Sequence, residues 1–382
     1  TLNSNTGLPS VGVRVVEVIG PRGGRPMTST TRTPTEGSPV FEFSVVGGTT
    51  AREVIARSRP EIVREVRSTY LAHDDGDSVN PDSYFLRFPD KPDARIIALP
   101  AYLGGEHDVA GIKWIGSFPQ NIADGIPRAS AALLLNDYAT GYPFALLEAS
   151  QISAARTAAS AVLAAEQLSG SRTAGHLSVI GGGIIARNIL EFFAAQGWQF
   201  GGVTVHDKVP EYAEALAAHS QDHLGYRTST TASLEVALLK ADIVVFATTA
   251  SEPYVLDAGA FASGQVVLNI SLRDIGPELI NDAYNVVDDI DHCLKANTSP
   301  HLAEQKYGHR DFITGTLAQH IRGQVSTGTD KPVIFSPFGL GVLDLAVGLH
   351  VYREARAAGE AVAIDGFFGE TTRWPTRPPQ HG

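Results

Sequence analysis

Gly181-Gly182-Gly183-Ile184-Ile185-Ala186 follows directly on the apolar run Leu177-Ser178-Val179-Ile180 and opens an apolar helical stretch. In such a G-x-G-x-x-A turn, the first glycine permits a tight strand-to-helix turn. The third residue, also glycine, lets the backbone approach a diphosphate, and a small residue at the sixth position lets helix and strand pack closely. Free N–H groups at the start of that helix, around Ile184 and Ile185, together with the helix dipole, favour an anion there. A glycine-rich turn alone is a weak signal, because it can be only a turn. The second half of the signal is Val203-Thr204-Val205-His206-Asp207, a strand pattern ending in a carboxylate 24 residues after Gly183. A carboxylate so placed accepts both ribose hydroxyls and repels a 2′-phosphate. The pair predicts a dinucleotide site that takes NAD in preference to NADP, built from Gly181, Gly183, Ile184, Ile185 and Asp207. Thr248 and Thr249, closing the apolar run that begins at Ile243, and Ser271, just past Asn269, are expected at the same strand ends. Ligands bind along that carboxyl edge in parallel sheets.

Three charged residues stand where charge is unexpected. Lys113 lies inside the apolar Gly-Ile-Lys-Trp-Ile-Gly, Arg156 inside an alanine-rich helix, and Asp274 just beyond Asn269-Ile-Ser-Leu-Arg. Each has a bland reading: a snorkelling lysine, a surface arginine, a helix-capping aspartate.

The elements that must position these residues fall into two textures. Residues 51–72 read as an amphipathic helix interrupted at Pro60, followed by strands at 84–88, 94–99, 109–116, 129–135 and 142–148, with turn residues between them. Strands in series imply a mostly antiparallel sheet. From the alanine-rich helix at 151–168 onward, strands and helices alternate to about Lys331, the pattern of a doubly wound parallel sheet. A helix over 341–357 follows. The predicted class is α/β: a Rossmann dinucleotide domain over 153–331, and a strand-rich α+β substrate domain from 41–152 and 332–375. Residues 1–40, polar and rich in Pro, Gly and Thr, read as a disordered tail.

Composition narrows the functions. A net charge of −11 over 382 residues argues against general affinity for nucleic acid or an anionic membrane. No uncharged apolar run reaches the roughly 18 residues needed for a membrane span. The single cysteine, Cys293, forms no internal disulfide and suits a reducing cytoplasm; the twelve histidines show no HExxH spacing, so no metal is expected.

Gly111-Ile-Lys-Trp-Ile-Gly, Gly141-Tyr-Pro, Ser153-Ala-Ala-Arg-Thr-Ala-Ala, the Gly181 loop, Asn269 to Asp274 and Phe335-Ser-Pro-Phe-Gly carry a resemblance. With these, the chain resembles the ornithine cyclodeaminase/mu-crystallin family over nearly all of residues 41–360. Arg95-Ile-Ile-Ala-Leu-Pro, Gly104-Gly-Glu-His, Arg128-Ala-Ser and Leu147-Glu-Ala-Ser-Gln-Ile-Ser are similar to its N-(2-amino-2-carboxyethyl)-L-glutamate dehydrogenase branch, which makes L-2,3-diaminopropionate for siderophores or peptide antibiotics. The resemblance implies an NAD-dependent oxidative cleavage of a substrate with several carboxylates. Arg87, Lys113 and Arg156 would hold carboxylates, Lys113 beside the reacting centre, and Asp274 would be the acid/base. It also implies a homodimer formed through the first domain. Ornithine or lysine cyclodeaminase, ketimine reductase or alanine dehydrogenase, and a non-enzymatic crystallin-like binder are the alternatives.

Overall fold

The two textures of the sequence fold into two different sheets. The computed structural model describes residues 41–371, which belong to one compact unit. The tail expected over residues 1–40, and the last residues of the returning segment, lie outside the described residues.

The first half supplies β1 (Ser44–Val46), β2 (Ser78–Val79), β3 (Tyr84–Phe88), β4 (Lys91–Leu103), β5 (Val109–Ser117), β6 (Ala129–Asp137) and β7 (Pro143–Glu148). The second supplies β8 (Thr173–Ile180), β9 (Gln199–His206), β10 (Thr228–Thr230), β11 (Ile243–Phe246), β12 (Val266–Asn269), β13 (Tyr284–Val287), β14 (Ile313–Thr316) and β15 (Val333–Ser336), and β16 (Val362–Ala363) follows. The first sheet runs β16-β1-β7-β6-β5-β4-β2, with β3 also on β4. It is antiparallel at every pairing except β1 with β7. The second runs β10-β9-β8-β11-β12-β15-β13-β14 and is parallel throughout. Its order reverses at β8, so the crevice outside the carboxyl ends of β8 and its neighbours is the expected ligand position.

β15 corrects one expected boundary. The sequence pattern puts it in the segment returning to the first domain, but it runs inside the parallel sheet between β12 and β13. Its residues Val333–Ser336 are all buried, and its short apolar run reads equally as core of either half.

Local chemistry explains the helices that matter here. Pro60 starts the Arg59–Asp74 helix at its first turn, where a missing N–H costs nothing, and so separates it from Gly48–Arg57. The Ser150–Ser169 helix is alanine-rich and buried along most of its length. Its free N-terminal N–H groups at Ser150 and Gln151 donate to the Glu148 carboxylate, at 2.8 and 3.3 Å, where the helix dipole favours a negative charge.

The Gly341–Ala357 helix lies across the inner face of the first sheet. Leu99, Lys113 and Leu133 pair in one row across β4, β5 and β6. A Cβ on Gly341 would stand 3.6 Å from the Leu99 carbonyl, and one on Gly348 would run into the Leu133 side chain. The two glycines bring the helix close over that row, and Asp344, between them on the same face, meets Lys113. Gly111 plays the same part from the strand: a Cβ there would sit 2.3 Å from the Leu134 carbonyl and 2.8 Å from Leu345. Gly111→Ala is therefore expected to lower stability by about 1–3 kcal/mol through forced displacement of β6 or the helix, read as a drop in denaturation midpoint. An unchanged midpoint would show that the sheet relaxes freely at this point.

Candidate active site

Lys113 is 2% exposed and Asp344 is fully buried. The Lys113 ammonium donates to Asp344 Oδ2 at 2.6 Å and to Ser153 Oγ at 3.2 Å. An ammonium has three donors, so one is left over. On the other side of the carboxylate, Arg156 Nε donates to Asp344 Oδ1 at 3.3 Å. The two terminal nitrogens of Arg156 make no hydrogen bond to protein among the described residues. They lie against Gly339, where a Cβ would stand 2.5 Å from Nη1. Ser153 and Arg156 are three residues apart on one helix, hence on one face. The buried Lys113 and the half-buried Arg156 thus share one carboxylate, which leaves one positive charge uncompensated. Burial, the largest influence, and the neighbouring charge of Arg156 together bring the Lys113 ammonium down to about 8 against the pull of Asp344.

This cationic pocket abuts the carboxyl edge of the parallel sheet. Gly339 lies three residues past the end of β15. It is held by buried Asp288, just past β13, which accepts the backbone N–H groups of Phe338 at 2.9 Å and Gly339 at 2.7 Å.

The glycine loop lies along the same edge. Gly181 takes φ of 104°, and a Cβ there would stand 2.5 Å from the Ala247 carbonyl, so the tight turn requires glycine. At Gly183 a Cβ would meet nothing within 4 Å. Gly183 begins the Ile184–Ala195 helix without a side-chain cap, so open space and unsatisfied helix N–H groups coincide there. Ile184 is exposed at the mouth of the loop, Ile185 is half-buried, and Ala186 is fully buried beneath it. Asp207 accepts the Gly182 N–H at 2.7 Å and the Val209 N–H at 2.9 Å, which fixes its carboxylate beside the loop.

Asp274 is fully buried and held by hydroxyls. Thr248 and Tyr254 donate to Oδ1, the latter at 2.9 Å, and Ser271 donates to Oδ2 at 2.5 Å. Thr248 and Ser271, expected to face the nucleotide, therefore direct their hydroxyls at Asp274, while Thr249 is exposed. Burial and the Asp274 charge push the Tyr254 phenol well above its usual range, so it remains a donor. Between Ser271 and Asp274 the chain turns through Leu272 at φ 79°, a left-handed conformation that is unfavourable for leucine.

The structure joins Lys113 to Arg156, and Asp274 to Thr248 and Ser271. Arg87 does not join the buried pocket; it is exposed on β3, its guanidinium 5.3 Å from the Phe85 ring centre. Glu106 and His107 shape a turn, with His107 Nε2 bonded to Glu65 at 2.9 Å. Sequence reasoning does not find Asp344 or Tyr254. The only sign of Asp344 in the sequence is an acid within the otherwise apolar Gly-Val-Leu-Asp-Leu-Ala; Tyr254 stands in the polar Ser-Glu-Pro-Tyr with nothing to mark it.

Asp344→Asn would leave the buried Lys113 and the half-buried Arg156 without a counter-charge. Loss of a partner from a buried pair costs about 3–5 kcal/mol, so the melting temperature should fall clearly. Since Asp344 raises the Lys113 value, its removal should move the Lys113 titration, followed by side-chain NMR, from about 8 to lower pH. A wild-type midpoint near the ordinary 10.5 would show instead that the ammonium is well solvated.

Known proteins give this geometry its context. A sequence profile of the ornithine cyclodeaminase/mu-crystallin family matches residues 52–359. The N-((2S)-2-amino-2-carboxyethyl)-L-glutamate dehydrogenase of Staphylococcus aureus is 32% identical over 299 residues, 75% of this chain and 87% of that protein. The alanine dehydrogenase of Archaeoglobus fulgidus is 27% identical over 78% of this chain and 91% of its own. Among solved structures, the Δ1-pyrroline-2-carboxylate reductase of Thermococcus litoralis, in complex with NADH and L-proline, superposes with a TM-score of 0.77 at 24% identity, covering 85% of this chain and all of that one. Two cations on a shared buried carboxylate, a glycine loop and a hydroxyl-held aspartate thus stand on a shared fold, and the chain belongs to the ornithine cyclodeaminase/mu-crystallin family.

Proposed function

We propose that the protein is an NAD-dependent dehydrogenase that cleaves N-(2-amino-2-carboxyethyl)-L-glutamate to L-2,3-diaminopropionate and 2-oxoglutarate. The observation that carries this reading is the uncompensated positive charge of the Lys113–Asp344–Arg156 group at the carboxyl edge of the parallel sheet. A substrate carboxylate supplies the missing negative charge, and the Arg156 fork suits both of its oxygens. The relative from Staphylococcus aureus, whose name specifies this substrate, supports the choice among the family's activities.

The glycine loop fits NAD. Gly183 leaves room for a diphosphate over the free N–H groups of Ile184 and Ile185, and Asp207 stands where ribose hydroxyls would donate. NAD bound there would accept a hydride from the glutamyl Cα of the secondary amine. Lys113 and Arg156 hold the carboxylate on that carbon and so orient it. Water adds to the oxidised carbon, and Asp274 takes up the proton that the water loses. Return of that proton to the departing nitrogen, with the new hydroxyl's proton passing to Asp274 as the C=O forms, breaks the C–N bond and frees the two products.

The first sheet and the Gly341–Ala357 helix form the substrate side of this reading, and a second copy completes it. The sheet's outer face is apolar: Tyr84, Ala98, Trp114 and Ala132 pair in one row, with Leu86 and Ile96 in the next. Tyr84 is 68% and Trp114 46% exposed. Such a face marks an interaction surface, and a cytoplasmic homodimer formed across it is the reading we favour.

Purified protein with NAD and N-(2-amino-2-carboxyethyl)-L-glutamate should produce NADH absorbance and 2-oxoglutarate in equal amounts, while ornithine in a parallel cuvette should not. Ammonia from ornithine without net NADH would overturn the reading in favour of a cyclodeaminase. Asp274→Asn should bind NAD normally yet lose about 10²–10⁴-fold in turnover. Near-normal turnover would remove Asp274 from the proton transfer.

A further inference from the structure

Two arginines stand in a second row on the face of the first sheet that carries Lys113, and a third reaches that row from beside it. Arg87 of β3 pairs directly with Arg95 of β4, Arg95 with Ser117 of β5, and Ser117 with Ala129 of β6. Arg128, next to Ala129, reaches back to donate to Ser117 Oγ at 3.4 Å. Lys113 and Ser117 are four residues apart on one strand, as are Leu99 and Arg95 on the next, so both rows share a face. They lie about 13 Å apart along the strands.

The row lacks negative charge. Among the described residues, Arg87, Arg95 and Arg128 form no ion pair, although twelve other lysines and arginines do. Arg95 Nε is buried without a hydrogen-bond partner. Burial first, then the charges of Arg128, Arg87 and Arg273, draw the Arg95 guanidinium below its ordinary value. Arg273, the last of these, directly precedes Asp274 in the sequence. Like charges paired across strands repel, and a buried donor left unbonded costs free energy. An anion on the row relieves both.

We propose that Arg87, Arg95 and Arg128 form a second anion subsite that holds the substrate's side-chain carboxylate, remote from the reacting carbon, and selects polycarboxylates. The proposal deepens the dehydrogenase reading and rests on it for which carboxylate is remote. A five-carbon dicarboxylate anchored at one end by Lys113 and Arg156 presents its far end to the row.

The test uses the full chain with NADH bound. Calorimetry compares 2-oxoglutarate with 2-oxopentanoate, the same chain length without the second carboxylate. The wild type should prefer 2-oxoglutarate about tenfold or more, the range of a charge-assisted hydrogen bond. Arg95→Gln and Arg128→Gln should each remove most of that preference, leaving affinity for 2-oxopentanoate and NADH unchanged. Because each variant relieves like-charge repulsion, the ligand-free melting temperature should not fall; Arg128 is exposed, so its variant carries little folding risk. A wild type with no preference, a preference that survives both variants, or equal loss for both ligands would each overturn the subsite. If the preference responds as expected while N-(2-amino-2-carboxyethyl)-L-glutamate is not turned over, the named substrate fails and the subsite stands. If that substrate is turned over while the preference is insensitive to both variants, the subsite fails and the named substrate stands.

Discussion

Two cations gathered on a single buried carboxylate constrain the rest of this molecule. Neither Lys113 nor Arg156 is stable away from water without Asp344, because an unpaired buried charge is far more costly than any one packing contact. The three must meet although they come from a strand, an alanine-rich helix and a helix near the end of the chain. That meeting dictates the small residues around it. Gly341 and Gly348 let the final helix down onto the row containing Lys113, and Gly111 clears Leu345 beneath it. Alanine along Ser150–Ser169 lets that helix pack on several neighbours at once while still presenting Ser153 and Arg156 on one face.

The same constraint ties the two sheets together. Arg156 leans on Gly339, whose φ of 95° suits glycine and whose N–H is fixed by Asp288 at the end of β13. The cationic pocket is thereby registered against the carboxyl edge of the parallel sheet, where the glycine loop opens. The strand β15 that leads into Gly339 belongs to that sheet by hydrogen bonding, even though the next helix belongs to the other. The boundary between the two halves therefore runs through the turn at Gly339 and not before β15.

Much of this is legible in the sequence because its signals are local. A glycine turn between an apolar strand and a helix, a carboxylate at the next strand end, and alternating strands with turn residues between them each declare themselves within a short window, and the structure places those elements where expected. Asp344 and Tyr254 are not legible, since their significance lies in what faces them. An aspartate one turn into an apolar helix reads as a cap or a surface acid until Lys113 and Arg156 are found opposite. The short β10 and β14 carry too few residues to show alternation, and β15 is apolar throughout, so periodicity cannot assign it to a sheet. Thr248 and Ser271 fall at the expected strand ends, but their partner is Asp274, a contact that spacing does not encode.

The contrast between the two carboxylates follows from what each must do. Asp344 is fixed by cations and serves as a static counter-charge. Asp274 is equally buried but is held only by the hydroxyls of Thr248, Tyr254 and Ser271. A cation there would oppose the proton uptake proposed for Asp274. A hydroxyl both donates and accepts, so under the proposed mechanism Thr248 and Ser271 would relay a proton to Asp274 while Tyr254 keeps its own. Thr248 and Ser271 are only partly buried and connect the enclosed acid to that cleft. Cations surround the carboxylate that acts as counter-charge, and hydroxyls surround the one proposed to move a proton.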